Sequence, residues 1–262
     1  MSKSRKIKIL IFLVLLLLGL NYNSVDDFLK NTFVEKETGV VERIIDGDTI
    51  VISPGEVHVR MLGINTPEKG EKYSSSAKDF LERVILNKTI ELKFGKDKTD
   101  MYGRTLAYIF YNNANVNLEL VDEGFANFYF PQGRDVYYDK FVKAWEHCLE
   151  NNQNLCKKSE NVCANCIKLK GFDNEKEVIV FENICGFACN LTKWGIKDEG
   201  RKNFVFPNFI LNANNEMRVI VGNKSDNSNE LFWKGETYVW TKTGDTLFLR
   251  DDEKGLVLWK NY

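Results

Sequence analysis

Apolar and polar positions along this chain change rhythm twice. An unbroken apolar run over residues 9–20 follows Lys3, Arg5, Lys6 and Lys8, and from Asn21 to about Lys36 the chain is polar with few apolar positions. Between residues 37 and 153, short apolar runs alternate with segments at helical spacing. The runs predict strands at 40–45, 49–52, 57–64, 89–94 and 105–111. Ala77, Phe80, Leu81, Val84 and Ile85 recur on one helical face, which predicts a helix over 75–86 with Ser74 as its cap. A short helix is expected at 117–123, stopped by Gly124, and a longer one at 135–151 with Phe141, Ala144, Trp145 and Cys148 on one stripe. Beyond residue 166 helical periodicity disappears. β-rich runs recur at 167–169, 177–183, 217–221, 238–241, 246–250 and 256–259, parted by Gly, Asn and Asp turns.

Two architectures follow. Five strands with interspersed helices suit an α+β domain built on an OB-type five-stranded barrel, and the second half predicts an all-β, immunoglobulin-like antiparallel β-sandwich. At 262 residues the chain accommodates two cores of roughly 100 residues each. The expected organisation is 37–153 for the barrel and 166–262 for the sandwich, joined by a linker at 154–165 where Asn, Lys and Cys accumulate. Residues 1–22 read as a signal peptide or an N-terminal membrane anchor, and 23–36 as a linker. The basic start followed by an apolar stretch is the pattern of an export signal. Its twelve positions fall short of the ~20 that span a bilayer. Both domains are therefore expected outside the cell, secreted or held by a membrane tether.

Charge narrows the function. The chain carries 36 Lys and Arg against 37 Asp and Glu, and residues 37–153 hold 14 basic and 19 acidic side chains. Any grip on a phosphate backbone must come from a local cleft rather than from bulk positive charge. The six cysteines suit an exported protein with disulfides, although the Cys163-x2-Cys166 and Cys185-x3-Cys189 spacings would also permit a four-thiolate zinc site. The sequence does not fix the pairing. Only His58 and His147 are present, so a Ser-His-Asp hydrolase or a histidine-dependent nuclease lacks its parts. Trp194, Trp233, Trp240 and Trp259 are expected in the core before any ligand face.

Three short segments carry the chemistry: Asp46-Gly-Asp48-Thr49, Arg60-Met-Leu-Gly-Ile-Asn-Thr-Pro-Glu68 and Thr99-Asp100-Met101-Tyr102-Gly103-Arg104. Cutting a phosphodiester needs a cation at the phosphorus centre, hydrogen-bond forks for the growing charge and a base for water. Asp48, the two arginines and Glu68 fit those needs in turn. Arginine presents a planar fork that matches phosphate oxygens two at a time. Taken singly, each residue has a plainer reading: the Asp-Gly-Asp turn as a hairpin, Arg60 as the partner of Asp48 or Glu68, and Glu68 as a solvated loop acid.

In residue type and order, these segments resemble the staphylococcal nuclease (thermonuclease) family. The resemblance implies a calcium-dependent endonuclease acting with little sequence preference on DNA and RNA, single-stranded or locally melted, and leaving 3′-phosphate ends. It implies Arg60, Glu68 and Arg104 as catalytic residues, Asp48, Asn65 and the carbonyl of Thr66 as ligands for Ca2+, and Tyr102 and Tyr129 as substrate contacts. The chain departs from the family pattern where Asn65 replaces a metal-binding aspartate and Met101 a lysine, which predicts weaker calcium binding and one fewer phosphate contact. In the second half, Leu191-Thr-Lys-Trp-Gly-Ile-Lys-Asp198, Phe204-Val-Phe-Pro207 and Gly244-Asp-Thr-Leu-Phe-Leu-Arg-Asp251 resemble the lamin-tail domain, which implies attachment or partner binding. Two other classes compete with the enzyme: a non-catalytic OB-type nucleic-acid-binding module, and a surface adhesive or scaffold protein whose sandwich is the active party.

Overall fold

Strand pairing closes the first half on itself. In the computed structural model, which describes residues 37–262, strand β1 (Glu37–Ile44) pairs with β2 (Thr49–Ser53) and β2 with β3 (Val57–Met61), all antiparallel. Beyond β4 (Ile64–Asn65), β5 (Thr89–Thr99) lies beside β1 and pairs antiparallel with β6 (Thr105–Tyr111). A parallel pairing of β3 with β6, Val59 opposite Thr105 and Arg60 opposite Leu106, shuts the five-stranded barrel. Closure leaves these strands no open edge. Helix α1 (Ser74–Ile85) buries Ala77, Leu81 and Ile85. After β7 (Ala114–Asn115), helix α2 (Val116–Asp122) starts from Asn115, whose side chain accepts the N–H groups of Asn117 and Leu118. Helix α3 (Tyr138–Asn151) buries Tyr138, Phe141, Trp145 and Cys148, nearly the stripe expected.

Local chemistry overrides two expectations. The strand expected over 57–64 breaks at Leu62-Gly63, where Gly63 takes a φ of +74°, and β4 leaves the barrel to pair with β8 (Asn127–Phe128). A side chain on Gly63 would press on the Phe141 and Tyr108 rings at 3.0–3.1 Å, so turn and close approach both need glycine. Ser74 is the first helical residue of α1 rather than its cap. Tyr73 holds the cap position in a left-handed conformation without a side-chain bond.

The second half stacks two four-stranded sheets. One has the order β16-β15-β10-β9, from β9 (Ile167–Asp173), β10 (Val178–Asn183), β15 (Glu216–Val221) and β16 (Glu230–Trp233). The other has the order β13-β12-β17-β18, from β12 (Gly195–Lys197), β13 (Asn203–Val205), β17 (Thr246–Arg250) and β18 (Leu256–Asn261). A small pair, β11 (Cys189–Asn190) with β14 (Ile210–Leu211), completes the layer. Trp194, Trp233 and Trp240 are buried in its core as expected. The sandwich is not wholly antiparallel, because β15 and β16 run parallel. Nor do residues 238–241 form a strand: the N–H groups of Val239 and Trp240 are taken by the Glu177 carboxylate instead of a neighbouring backbone. The cysteines are oxidised in pairs, Cys148–Cys156, Cys163–Cys189 and Cys166–Cys185.

Residues Thr38–Tyr262 form one compact unit. Phe248 and Leu256 of the sandwich belong to the barrel's own core cluster, and the Phe248 ring meets Trp145 of α3 edge-on at 5.3 Å. The segment expected as a linker carries two short 3-10 turns, Asn154–Cys156 and Val162–Asn165, and is stitched to the sandwich through Leu256 N–H to Lys157 O. The export element and the tether expected over residues 1–36 lie outside the described residues. Among the described residues no helix is long and apolar enough to cross a membrane.

Candidate functional site

The β1–β2 turn carries Asp48. Its backbone is fixed from both sides: Asp48 N–H donates to Asp46 Oδ1 at 3.0 Å, and Met61 N–H donates to Asp48 O at 2.8 Å. Gly47 permits the approach, since a side chain there would collide with Ala77 of α1 at 2.6 Å and Thr66 at 2.9 Å. The buried Asp48 carboxylate then accepts four donors. Thr49 Oγ1 reaches Oδ1 at 3.1 Å, while the Thr66 N–H (3.2 Å), Thr66 Oγ1 (3.1 Å) and Arg60 Nη2 (3.1 Å) converge on Oδ2.

Arg60 is 8% exposed and spends its other bonds on backbone, Nη1 on Met61 O at 2.6 Å and Nη2 on Ile64 O at 3.0 Å. Burial pulls the guanidinium below its ordinary pKa, and the Asp48 charge opposes that. Simple strand alternation fails here, with Val59, Arg60 and Met61 all buried, so both faces of this end of β3 are covered. Arg104 ends the turn that enters β6, the neighbour of β3, so the two guanidinium-bearing segments lie side by side. Asp100 holds that turn, accepting the N–H groups of Tyr102 and Arg104 at 2.9 Å each and Arg104 Nε at 2.7 Å. Partial burial pushes the Asp100 carboxyl up, but these bonds and the arginine charge win and hold it below the usual range. With Nε taken, the terminal amino groups of Arg104 remain as the fork for an anion. Its guanidinium lies 5.6 Å from the exposed Tyr102 ring.

The remaining expected residues meet the sandwich. Glu68 stands at the rim, its Oε1 paired at 3.0 Å with Arg201 Nε, and both side chains are more than half exposed. Asn65, almost fully buried, donates Nδ2 to Gly200 O at 2.7 Å. Tyr129 is half-buried, its N–H bonded to Gly63 O, and a Cβ on Gly200 would sit 3.3 Å from its ring. Phe128 beside it is core. The ligands expected from the sequence are of the kind a hard cation takes, one carboxylate from Asp48, the Thr66 carbonyl and the amide oxygen of Asn65, whose nitrogen is committed to Gly200 O. Among the described residues no three acids, histidines or cysteines cluster as a metal set, and Asp48 is the one carboxylate in the expected ligand set.

Sequence reasoning did not foresee the turn 198–202 between β12 and β13. Its backbone is fixed by buried acids: Glu199 N–H donates to Asp245 Oδ1, and Lys202 N–H to Asp198 Oδ1. It docks on the barrel through Asn127 Nδ2 to Glu199 O (2.8 Å) and Phe130 N–H to Glu199 Oε1 (3.0 Å). Burial, reinforced by the Asp245 charge, lifts both the Asp198 and Glu199 carboxyls to about 7. The only signal in sequence was a dense run of charges, Lys197-Asp-Glu-Gly-Arg-Lys202, which ordinarily marks a solvated turn.

Comparison with known proteins places this geometry. Residues 58–158 match the model of the staphylococcal nuclease homologues. The thermonuclease of Staphylococcus intermedius is 31% identical over 133 residues, covering 48% of this chain and 79% of that protein. The chain belongs to the staphylococcal nuclease family. The thermonuclease of Staphylococcus hyicus is likewise 31% identical over 128 residues, 46% of this chain and 76% of the relative. The endonuclease YhcR of Bacillus subtilis is 34% identical over 124 residues, 40% of this chain but only 10% of that much longer protein. Residues 157–262 match the lamin tail domain, so this nuclease-family barrel carries a lamin tail domain, whose turn 198–202 is bonded to Asn65, Asn127 and Phe130.

Proposed function

We propose that this protein is an exported, calcium-dependent endonuclease that hydrolyses phosphodiester bonds of single-stranded or locally melted DNA and RNA with little sequence preference. The observation that supports it most is the knot of Asp48, Arg60 and Thr66, with Arg104 just before the adjoining strand, in a chain of the nuclease family. In this reading Arg60 and Arg104 clamp the scissile phosphate and follow its charge into the transition state. Glu68 accepts the proton of the attacking water, or orients it. Tyr102 contacts sugar or phosphate, and Tyr129 offers a face on which any base can stack. Asp48, Asn65 and the Thr66 carbonyl would hold Ca2+, which when bound supplies charge to the phosphate oxygens. With one carboxylate in that set, calcium binds weakly.

A single assay decides between cleavage and mere binding. The full chain is offered labelled single-stranded DNA with calcium or with chelator, and the experiment is repeated with Glu68→Gln. Calcium-dependent cleavage that the variant lowers by about 10²–10⁴ is expected for loss of a general base. Binding with no turnover in either protein would favour the non-catalytic module instead. Export is tested separately, by finding the protein outside the cell and losing it there when residues 1–22 are deleted.

A further inference from the structure

The loop 198–202 of the lamin tail domain brings a charge to the nuclease site that no part of the barrel supplies. Its backbone is rigidly set, with Gly200 O held by Asn65 and Glu199 fixed to Asn127, Phe130 and Asp245. The side chain of Arg201 is not. It is 66% exposed, and among the described residues its ion pair is to Glu68, itself 54% exposed. Exposed pairs of this kind are weak and exchange partners readily. Arg201 also acts by its charge on both Arg60 and Tyr129, and Arg104 likewise presses on the Arg60 charge. Each of the three arginines has a carboxylate of its own, Asp48 for Arg60, Asp100 for Arg104 and Glu68 for Arg201, but only the Arg201 pair is exposed on both sides, so Arg201 is the one most readily given up to a polyanionic strand. Met101, 88% exposed where the family pattern has a lysine, leaves the barrel itself one cation short.

We propose that Arg201 is a third phosphate-binding arginine of this cleft, supplied by the lamin tail domain, which leaves Glu68 for a non-scissile phosphate of the nucleic-acid strand when substrate binds. The proposal rests on the nuclease reading for the identity of the substrate. It gives the second domain a direct part in substrate binding. It also accounts for Asn65: the amide donates to the carbonyl of Gly200, which an aspartate could not do, so the residue that weakens the cation site is the one that seats the loop.

The test measures the affinity of the full chain for fluorescein-labelled oligothymidylate across a salt series with chelator present, in native protein, Arg201→Ala and Arg201→Lys. One lost contact to a single strand lowers the slope of log affinity against log salt by about 0.7. Arg201→Ala should show that drop with an affinity loss of several-fold, and Arg201→Lys should keep the slope. With calcium, Arg201→Ala should raise KM and leave kcat nearly unchanged, as expected for a contact equal in ground and transition states. An unchanged slope overturns the proposal, even if calcium-dependent cleavage persists. A rise in kcat would show that Arg201 restrains Glu68 rather than binding substrate, and would equally overturn it. If native protein binds but does not cut, the slope remains readable and only the hydrolytic reading fails.

Discussion

Asp48 and Arg60 are nearly closed to solvent and each is held from several directions, whereas Glu68, Tyr102 and Arg104 are more open, Glu68 paired with Arg201 and Arg104 with Asp100 and the Tyr102 ring. The inner pair is part of the barrel's structure, set by the β1–β2 turn, by β3 and by the break at Gly63. The outer group is positioned by surface turns and by the second domain. Preorganised charge at the base of a cleft is useful to catalysis because it needs no rearrangement when charge develops. Rim groups with weak partners can give them up to a substrate. Mutations should therefore separate into two classes, one that costs stability and one that does not.

The largest effect is expected at Arg60. Removing one partner of a buried pair leaves the other charge uncompensated, and Arg60→Ala should destabilise the protein by about 3–5 kcal/mol in denaturant unfolding as well as abolish cleavage. A variant as stable as the native chain would show that the Asp48–Arg60 pair is not structural. Glu68→Gln is the counterpart. Its stability should change by less than about 0.5 kcal/mol, as for surface sites, while its turnover falls steeply.

That contrast also governs what the sequence disclosed. The three segments announced the inner pair, because a turn and a strand are local patterns read residue by residue. The arrangement of Arg60 against Asp48 was even anticipated as its plain structural reading, and it coexists with the proposed role. The contacts of Asn65 and Glu68 were hidden, since their partners Gly200 and Arg201 lie 135 and 133 positions further on, and no periodicity links them. In the sandwich, strands of two to four residues such as β11, β12 and β13 were missed because they are too short to alternate. The run 238–241 was misread because a carboxylate, Glu177, took the place of a strand.

An intermediate effect is expected at Asp100, which touches the rim only through Arg104 and Tyr102. Asp100→Ala keeps the guanidinium but frees it from its one anchor. A loss of about tenfold in kcat/KM, with little change in Tm, is expected, since a misplaced clamp costs rate without costing core. Unchanged kinetics would mean that substrate alone orders Arg104.

A smaller change, with opposed parts, should follow Asn65→Asp. The carboxylate adds a negative ligand and should tighten calcium several-fold in a calorimetric titration. It also faces the Gly200 carbonyl with no proton to give, so stability without calcium should fall by about 1–3 kcal/mol, the cost of a buried group left unpaired. No gain in calcium affinity would argue that residue 65 is not a ligand and serves only the loop.

The mildest prediction concerns pH and the acids that seat the loop. Burial lifts the Glu199 carboxyl to about 7, with the Asp245 and Asp198 charges adding to the rise and the Phe130 N–H and Thr246 hydroxyl opposing it. Between the ordinary carboxyl range and about 7 the folded protein therefore holds protons that the unfolded chain has released. Stability contributed by this group is complete below that range and is lost as pH rises through about 7. Glu199→Gln keeps the acceptor for Phe130 N–H and cannot ionise. Native Tm should thus fall further than that of the variant between pH 5 and pH 8, each kcal/mol of difference appearing as about 2–4 °C in a protein of this size. Parallel profiles would mean that Glu199 is ionised throughout, and that the loop is seated by its backbone bonds alone.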